Sequence, residues 1–106
     1  MLEKILLKGY IIYNTRKNLG CSVNEKLENP HTGYMVGIKN FSTLKEMLNV
    51  KLGKNEFYGT WKDTKTGIIY YDISLNVKDY KEACNIAKNR NELAIYDIEQ
   101  QTSIYF

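Results

Sequence analysis

The sequence predicts a single α+β domain in which a mainly antiparallel, twisted sheet carries two helices on one face. Three observations lead there. Short segments of dense or alternating β-formers, bounded by Gly, Asn and Asp, recur at 21–24, 33–38, 57–61, 68–74, 93–98 and 103–106. Two stretches, about 43–52 and 80–90, begin with capping boxes and repeat apolar residues at helical spacing. With 106 residues and no Ser/Pro-rich linker, the chain has room for one modest core and no second domain.

Taken in order, Leu2, Ile5 and Leu6 suit a short helical lead-in, whereas Tyr10, Ile11, Ile12 and Tyr13 are β-formers that predict a strand centred on 9–14. Residues 14–18 read as a turn, Gly20 as a reversal before the strand 21–24, and 25–32, with the only proline, as an exposed loop. Within 33–38, the internal Gly37 predicts a bulge. Thr43 and Glu46 then start a helix whose inward face is Leu44, Met47, Leu48 and Leu52, with Gly53 as the expected stop.

The stretch 57–98 is the scaffold. Phe57, Gly59 and Trp61 alternate with Tyr58 and Thr60, and the bulk of Phe57 and Trp61 predicts that theirs is the buried face. Residues 63–67 form a hairpin turn, and 68–74, rich in β-formers on both faces, reads as the middle of the sheet. Asp79 and Glu82 cap the second helix, Ala83, Ile86 and Ala87 form its inward stripe, and Asn91 suits a left-handed C-cap. The strand 103–106 is placed at a sheet edge, through which a second copy can pair as a homodimer.

The same residues argue against several classes of chemistry. The glycines form no phosphate- or dinucleotide-binding pattern, and a single histidine with no CxxC leaves no zinc set, so no cofactor, metal or catalytic group is expected. His31 reads as a surface loop residue. Asp72 and Asp97, each following a Tyr near a strand end, are the one carboxylate pair that could share a proton or a metal; their alternative role is to satisfy backbone amides. Cys21 and Cys84 read as small core thiols of a reducing cytosol. No apolar run approaches the roughly 18 residues of a membrane span. The opening MLEKILLKGYIIYN, with a Glu, two Lys and no small-residue cleavage site, is a poor signal peptide, so a cytoplasmic location is expected.

Lys, Asn, Ile and Tyr make up 44 of the 106 residues, the bias that AT-rich codons produce, as in a low-GC bacterium or its phages. The net charge of +3 is uneven: residues 1–54 carry nine Lys/Arg against four Glu, residues 55–106 six against eight Asp/Glu. A basic, tyrosine-bearing N-terminal half suits an anionic or protein partner, and Tyr is also a good interface residue. The candidate partner contacts are therefore Tyr10, Tyr13, Arg16, Lys17, Tyr34, Lys39, Lys45 and Lys51. Lys with interleaved Tyr also matches the mixture that binds single-stranded nucleic acid, which is the alternative partner.

Six stretches together resemble a group of small, largely uncharacterised accessory proteins carried by phages and other mobile elements: Gly33-Tyr34-Met35-Val36, Tyr58-Gly59-Thr60-Trp61, the turn 63–67, Tyr71-Asp72-Ile73-Ser74, the helix start 79–83 and Ala94-Ile95-Tyr96-Asp97. The resemblance spans about residues 29–98, leaves the first 28 unmatched and transfers no active site. It implies a non-enzymatic protein of a phage or mobile element that binds and blocks a bacterial host's defence complex, an anti-CRISPR inhibitor being the most concrete version. The basic N-terminal half argues against a mimic of DNA, which would be acidic.

Overall fold

The computed structural model describes residues 2–106. Its elements are α1 (Leu2–Asn18), β1 (Gly20–Val23), β2 (Tyr34–Phe41), α2 (Leu44–Leu48), β3 (Glu56–Lys62), β4 (Ile69–Val77), α3 (Tyr80–Asn89), β5 (Ala94–Asp97) and β6 (Thr102–Tyr105). The strands form one antiparallel sheet in the order β1-β3-β4-β2-β5-β6, so the α+β class holds and β4 lies inside the sheet as its composition requires.

Cross-strand register puts all the helices on one side. Tyr58 pairs with Ile73, and along the same face of β4 Leu75 and Val77 pair with Val36 and Tyr34. Leu7 and Ile11 of α1 and Met47 and Leu48 of α2 cluster with Val23, Tyr58 and Ile73 of the sheet. Ala83, Cys84 and Ala87 of α3 cluster with Val36, Val77 and Ile95 of the sheet. The second helix expected from the sequence is α3, with Asp79 accepting from the Glu82 amide at 2.9 Å and Asn91 in the left-handed region at φ 59°. Gly37 sits where the β2–β4 register slips, so the bulge is present.

Four expectations are corrected. The strand expected at 9–14 and the turn expected at 14–18 are both part of α1, which makes three helices rather than two. Leu7, Ile11 and Thr15, one helical turn apart, face the sheet, while Ile5, Leu6, Ile12 and Tyr13 stay exposed. Apolar residues on every side blur the helical period, and docking onto the sheet overrides the β propensity of Tyr10–Tyr13. Second, α2 ends at Leu48 with Asn49 as its C-cap, although the Thr43 cap is as expected. The Val50 carbonyl, instead of continuing the helix, accepts the Tyr58 hydroxyl at 2.7 Å. Third, Gly53 ends no helix; its amide donates to Glu56 Oε1 at 2.7 Å. Fourth, the buried face of β3 is that of Tyr58 and Thr60, and Trp61 is 57% exposed.

One buried polar link fixes α1 on the sheet. The Thr15 hydroxyl donates to the Ile11 carbonyl at 2.6 Å, which leaves its oxygen to accept from the Thr60 hydroxyl at 2.5 Å. Both threonines are buried, and among the described residues no buried side-chain N or O lacks a partner. Cys21 and Cys84 belong to different clusters and are free thiols. Burial pushes the Cys21 thiol up to about 11, which makes it a poor nucleophile.

Thr15→Val strands the Thr60 hydroxyl in the core, and chemical denaturation is expected to show a loss of about 1–3 kcal/mol. Thr60→Val leaves Thr15 bonded to Ile11 and costs less. The double variant, with no orphan, is expected to recover most of the Thr15→Val loss; a purely additive pair of losses would contradict the link.

Candidate functional site

Among the described residues no helix covers the other face of the sheet; at one end Met35 and Asn76 are buried, the Asn76 amide donating to the Thr32 carbonyl of the 24–33 loop at 2.9 Å, and the rest is open. It curls into a concave groove of about 720 Å³, and the strand residues that line it are the outward partners of the core positions: Gly59 and Trp61 on β3, Tyr70, Asp72 and Ser74 on β4. Small residues, Ser22, Gly37, Gly59 and Ala94, keep the floor low. Aromatic rings raise the walls. Trp61 and Tyr70 stack at 5.3 Å with 26° between their planes on one side, and Tyr96 and Tyr105 stand on the other. A smaller hollow of about 290 Å³ adjoins it beside Asn29 and Pro30. There Asn29 ties the 24–33 loop down, donating to the Ser22 carbonyl at 2.7 Å and accepting from the Tyr10 hydroxyl at 3.1 Å.

Asp72 is the chemical centre of the floor. A Cβ at Gly59 would coincide with its carboxylate, so glycine there is what makes room for it. A Cβ at Gly37 would lie 3.1 Å from Glu92 Oε1 and 3.4 Å from Asp72 Oδ2. The space over Gly37 is therefore flanked by an oxygen from each of two carboxylates. Burial pushes Asp72 up to about 6, the negative charge of Glu92 adds to the rise, and the Ser74 hydroxyl, donating to Asp72 Oδ1 at 3.3 Å, opposes it. The charged residues that line the groove are these two acids, in a chain whose net charge is +3. Carboxylates on the floor with aromatic walls have the chemistry to hold a cation, by charge from below and ring faces from the side. Among the described residues no three His, Cys, Asp or Glu side chains gather as metal ligands would.

The carboxylate pair considered from the sequence does not converge. Tyr96 lines the groove, so its neighbour Asp97 faces the helical side, where its carboxylate accepts the Gln100 amide at 3.1 Å in the turn before β6. His31 is exposed in its loop. The eight candidate contacts lie elsewhere than this groove. Tyr13, Arg16 and Lys17 are exposed on α1, with the Lys17 ammonium 5.7 Å from the Tyr13 ring centroid. Tyr10 packs against the core and tethers the loop. Tyr34 packs edge-on to Tyr80 at 5.4 Å. Lys39, Lys45 and Lys51 are exposed, Lys39 over the Phe41 ring at 5.4 Å. Asp72 stands out in the sequence only as a partner for Asp97, and its groove neighbours do not stand out; their one signal is that in β4 Tyr70, Asp72, Ser74 and Asn76 alternate strictly with Tyr71, Ile73, Leu75 and Val77.

Because the folded pKa of Asp72 is raised, its contribution to stability is full below the unfolded value near 3.8 and is lost as pH rises through about 6. Near neutral pH the ionised group costs on the order of 3 kcal/mol. Asp72→Asn is expected to raise the melting temperature near neutral pH, with a gain that shrinks towards about pH 4. A melting temperature that falls equally at both pH values would show that the carboxylate stabilises the fold.

No family model, curated protein or solved structure matches the chain, so what the groove does follows from its geometry.

Proposed function

We propose that the chain is a non-enzymatic binding protein whose open groove seats a basic segment of a partner protein. The observation that carries this reading is the Asp72 carboxylate, set over Gly59 in an aromatic-walled groove lined, among the described residues, by acidic side chains and no basic ones. A Lys or Arg of the partner, entering over Gly37 between Asp72 and Glu92, finds hydrogen-bond acceptors on both sides and ring faces along its stem. The exposed rings of Trp61, Tyr70, Tyr96 and Tyr105 supply the large, stiff contact area that interfaces favour. Phosphates are repelled by the same carboxylates, so nucleic acid would have to use the helical side, with Lys45 and Lys51.

The biological setting comes from the resemblance of residues 29–98 to phage and mobile-element accessory proteins. In that setting the partner is a component of a bacterial defence complex in the host cytoplasm, and blocking it, as an anti-CRISPR protein does, is the activity.

Expression of the chain in the native host is expected to protect an infecting phage, and a pull-down to recover a defence component. Asp72→Arg and Trp61→Ser, checked for folding by circular dichroism, should abolish both. A Lys39→Glu, Lys45→Glu, Lys51→Glu variant should retain both. No protection with no defence component recovered defeats the reading, and salt-sensitive oligonucleotide binding lost in the lysine variant replaces it with the nucleic-acid one.

Binding of a basic segment also requires ionised Asp72. Affinity is expected to weaken as pH falls through about 6, and Asp72→Asn to flatten that response.

A further inference from the structure

The outer side of α1 is the second unpartnered surface. Ile5 at 65% exposure, Leu6, Ile12 and Tyr13 at 62% form a stripe along it, and a Cβ at Gly9, between them, would meet nothing within 4 Å. Exposed Lys8 and Arg16 flank the stripe. Four large apolar side chains beside cations do not suit a phosphate backbone, which offers no apolar surface to bury them. They suit a surface that is both apolar and acidic.

The groove of another copy is such a surface. Its rings match the stripe and its two carboxylates match the flanking cations. Size agrees as well. Trp61 on β3 and Tyr105 on β6 are four strand spacings apart, about 19 Å along the sheet, and a helix with its side chains is about 10–12 Å across. The outer side of α1 and the groove point in opposite directions, because α1 covers one sheet face and the groove is the other. One copy therefore cannot satisfy itself, and the contact between copies is heterologous.

We infer that α1 of one copy docks its basic, apolar outer side in the groove of a second copy, giving head-to-tail self-association that competes with the partner for the groove. This rests on the groove being a receptor for basic apolar segments, of which α1 is one present in the chain itself.

Analytical ultracentrifugation of the purified full chain tests it. The protein is expected to associate with rising concentration and to dissociate with added salt. An Ile5→Glu, Arg16→Glu variant loses the helix face, and Glu92→Lys reverses a charge in the groove. Each alone should weaken association by roughly tenfold or more. An equal mixture of the two retains one intact helix face and one intact groove, and should form a 1:1 dimer that grows no further. A wild type that stays monomeric at every concentration, association that survives both variants, or a mixture that stays monomeric overturns the inference. So does a monomer whose α1 variants instead lose binding to vesicles of anionic phospholipid, which would make a lipid surface the occupant. Monomeric behaviour together with Asp72-dependent capture of the defence component overturns this inference alone and leaves the proposed function standing.

Discussion

The alternation of β4 is the constraint on which the rest depends. Tyr71, Ile73, Leu75 and Val77 point to one side of the sheet, and Tyr70, Asp72, Ser74 and Asn76 to the other. Since β4 lies between β3 and β2, each of its side chains sets the face of its neighbours: Ile73 aligns with Tyr58, Leu75 with Val36, Asp72 with Gly59 and Asn40. A one-residue slip would turn the core outward and bury Asp72 beneath the helices. With the register fixed, all three helices collect on the apolar side, and on the other side the 24–33 loop meets Asn76 while the groove around Asp72 is left to solvent or to a partner.

Antiparallel sheets often leave one face in water, and that face is ordinarily polar. Here it is walled by Trp61, Tyr70, Tyr96 and Tyr105, each more than two-fifths exposed, around a floor of small residues. Its central carboxylate is held where burial and a second carboxylate both oppose ionisation. Neither feature helps the chain fold. Exposed rings favour aggregation, and an ionised acid in a groove works against stability. Both become favourable when a cation with an apolar stem occupies the groove, which is why a receptor role accounts for them together.

Much of the fold was legible because local chemistry and tertiary structure agree. The capping residues Thr43 and Asp79, the left-handed Asn91 and the bulge at Gly37 fall where their side chains or lack of them demand. The failures occurred where a residue's local preference is overruled by what it packs against. Tyr10-Ile11-Ile12-Tyr13 prefers a strand, yet Ile11 and Thr15 are worth more against β1 and β3. Phe57 and Trp61 looked like core because they are large, whereas Tyr58 is the buried ring, its hydroxyl satisfied by Val50. That second misreading hid the groove: with the faces of β3 exchanged, Trp61 and Gly59 could not be seen to meet Tyr70 and Asp72 over the open side. Charge pointed to the N-terminal half for a similar reason, since a count along the chain does not show that two acids from the other half share one concavity.

The most direct test asks which face is covered in the cell. Hydroxyl-radical footprinting in extract of the native host, at a dilution where the protein is monomeric, reports on the exposed rings individually. The groove account expects Trp61, Tyr70 and Tyr105 to be protected relative to buffer while Tyr13 on α1 stays reactive. Protection of Tyr13 with the three groove rings unchanged would contradict it and move the functional surface to the helical side.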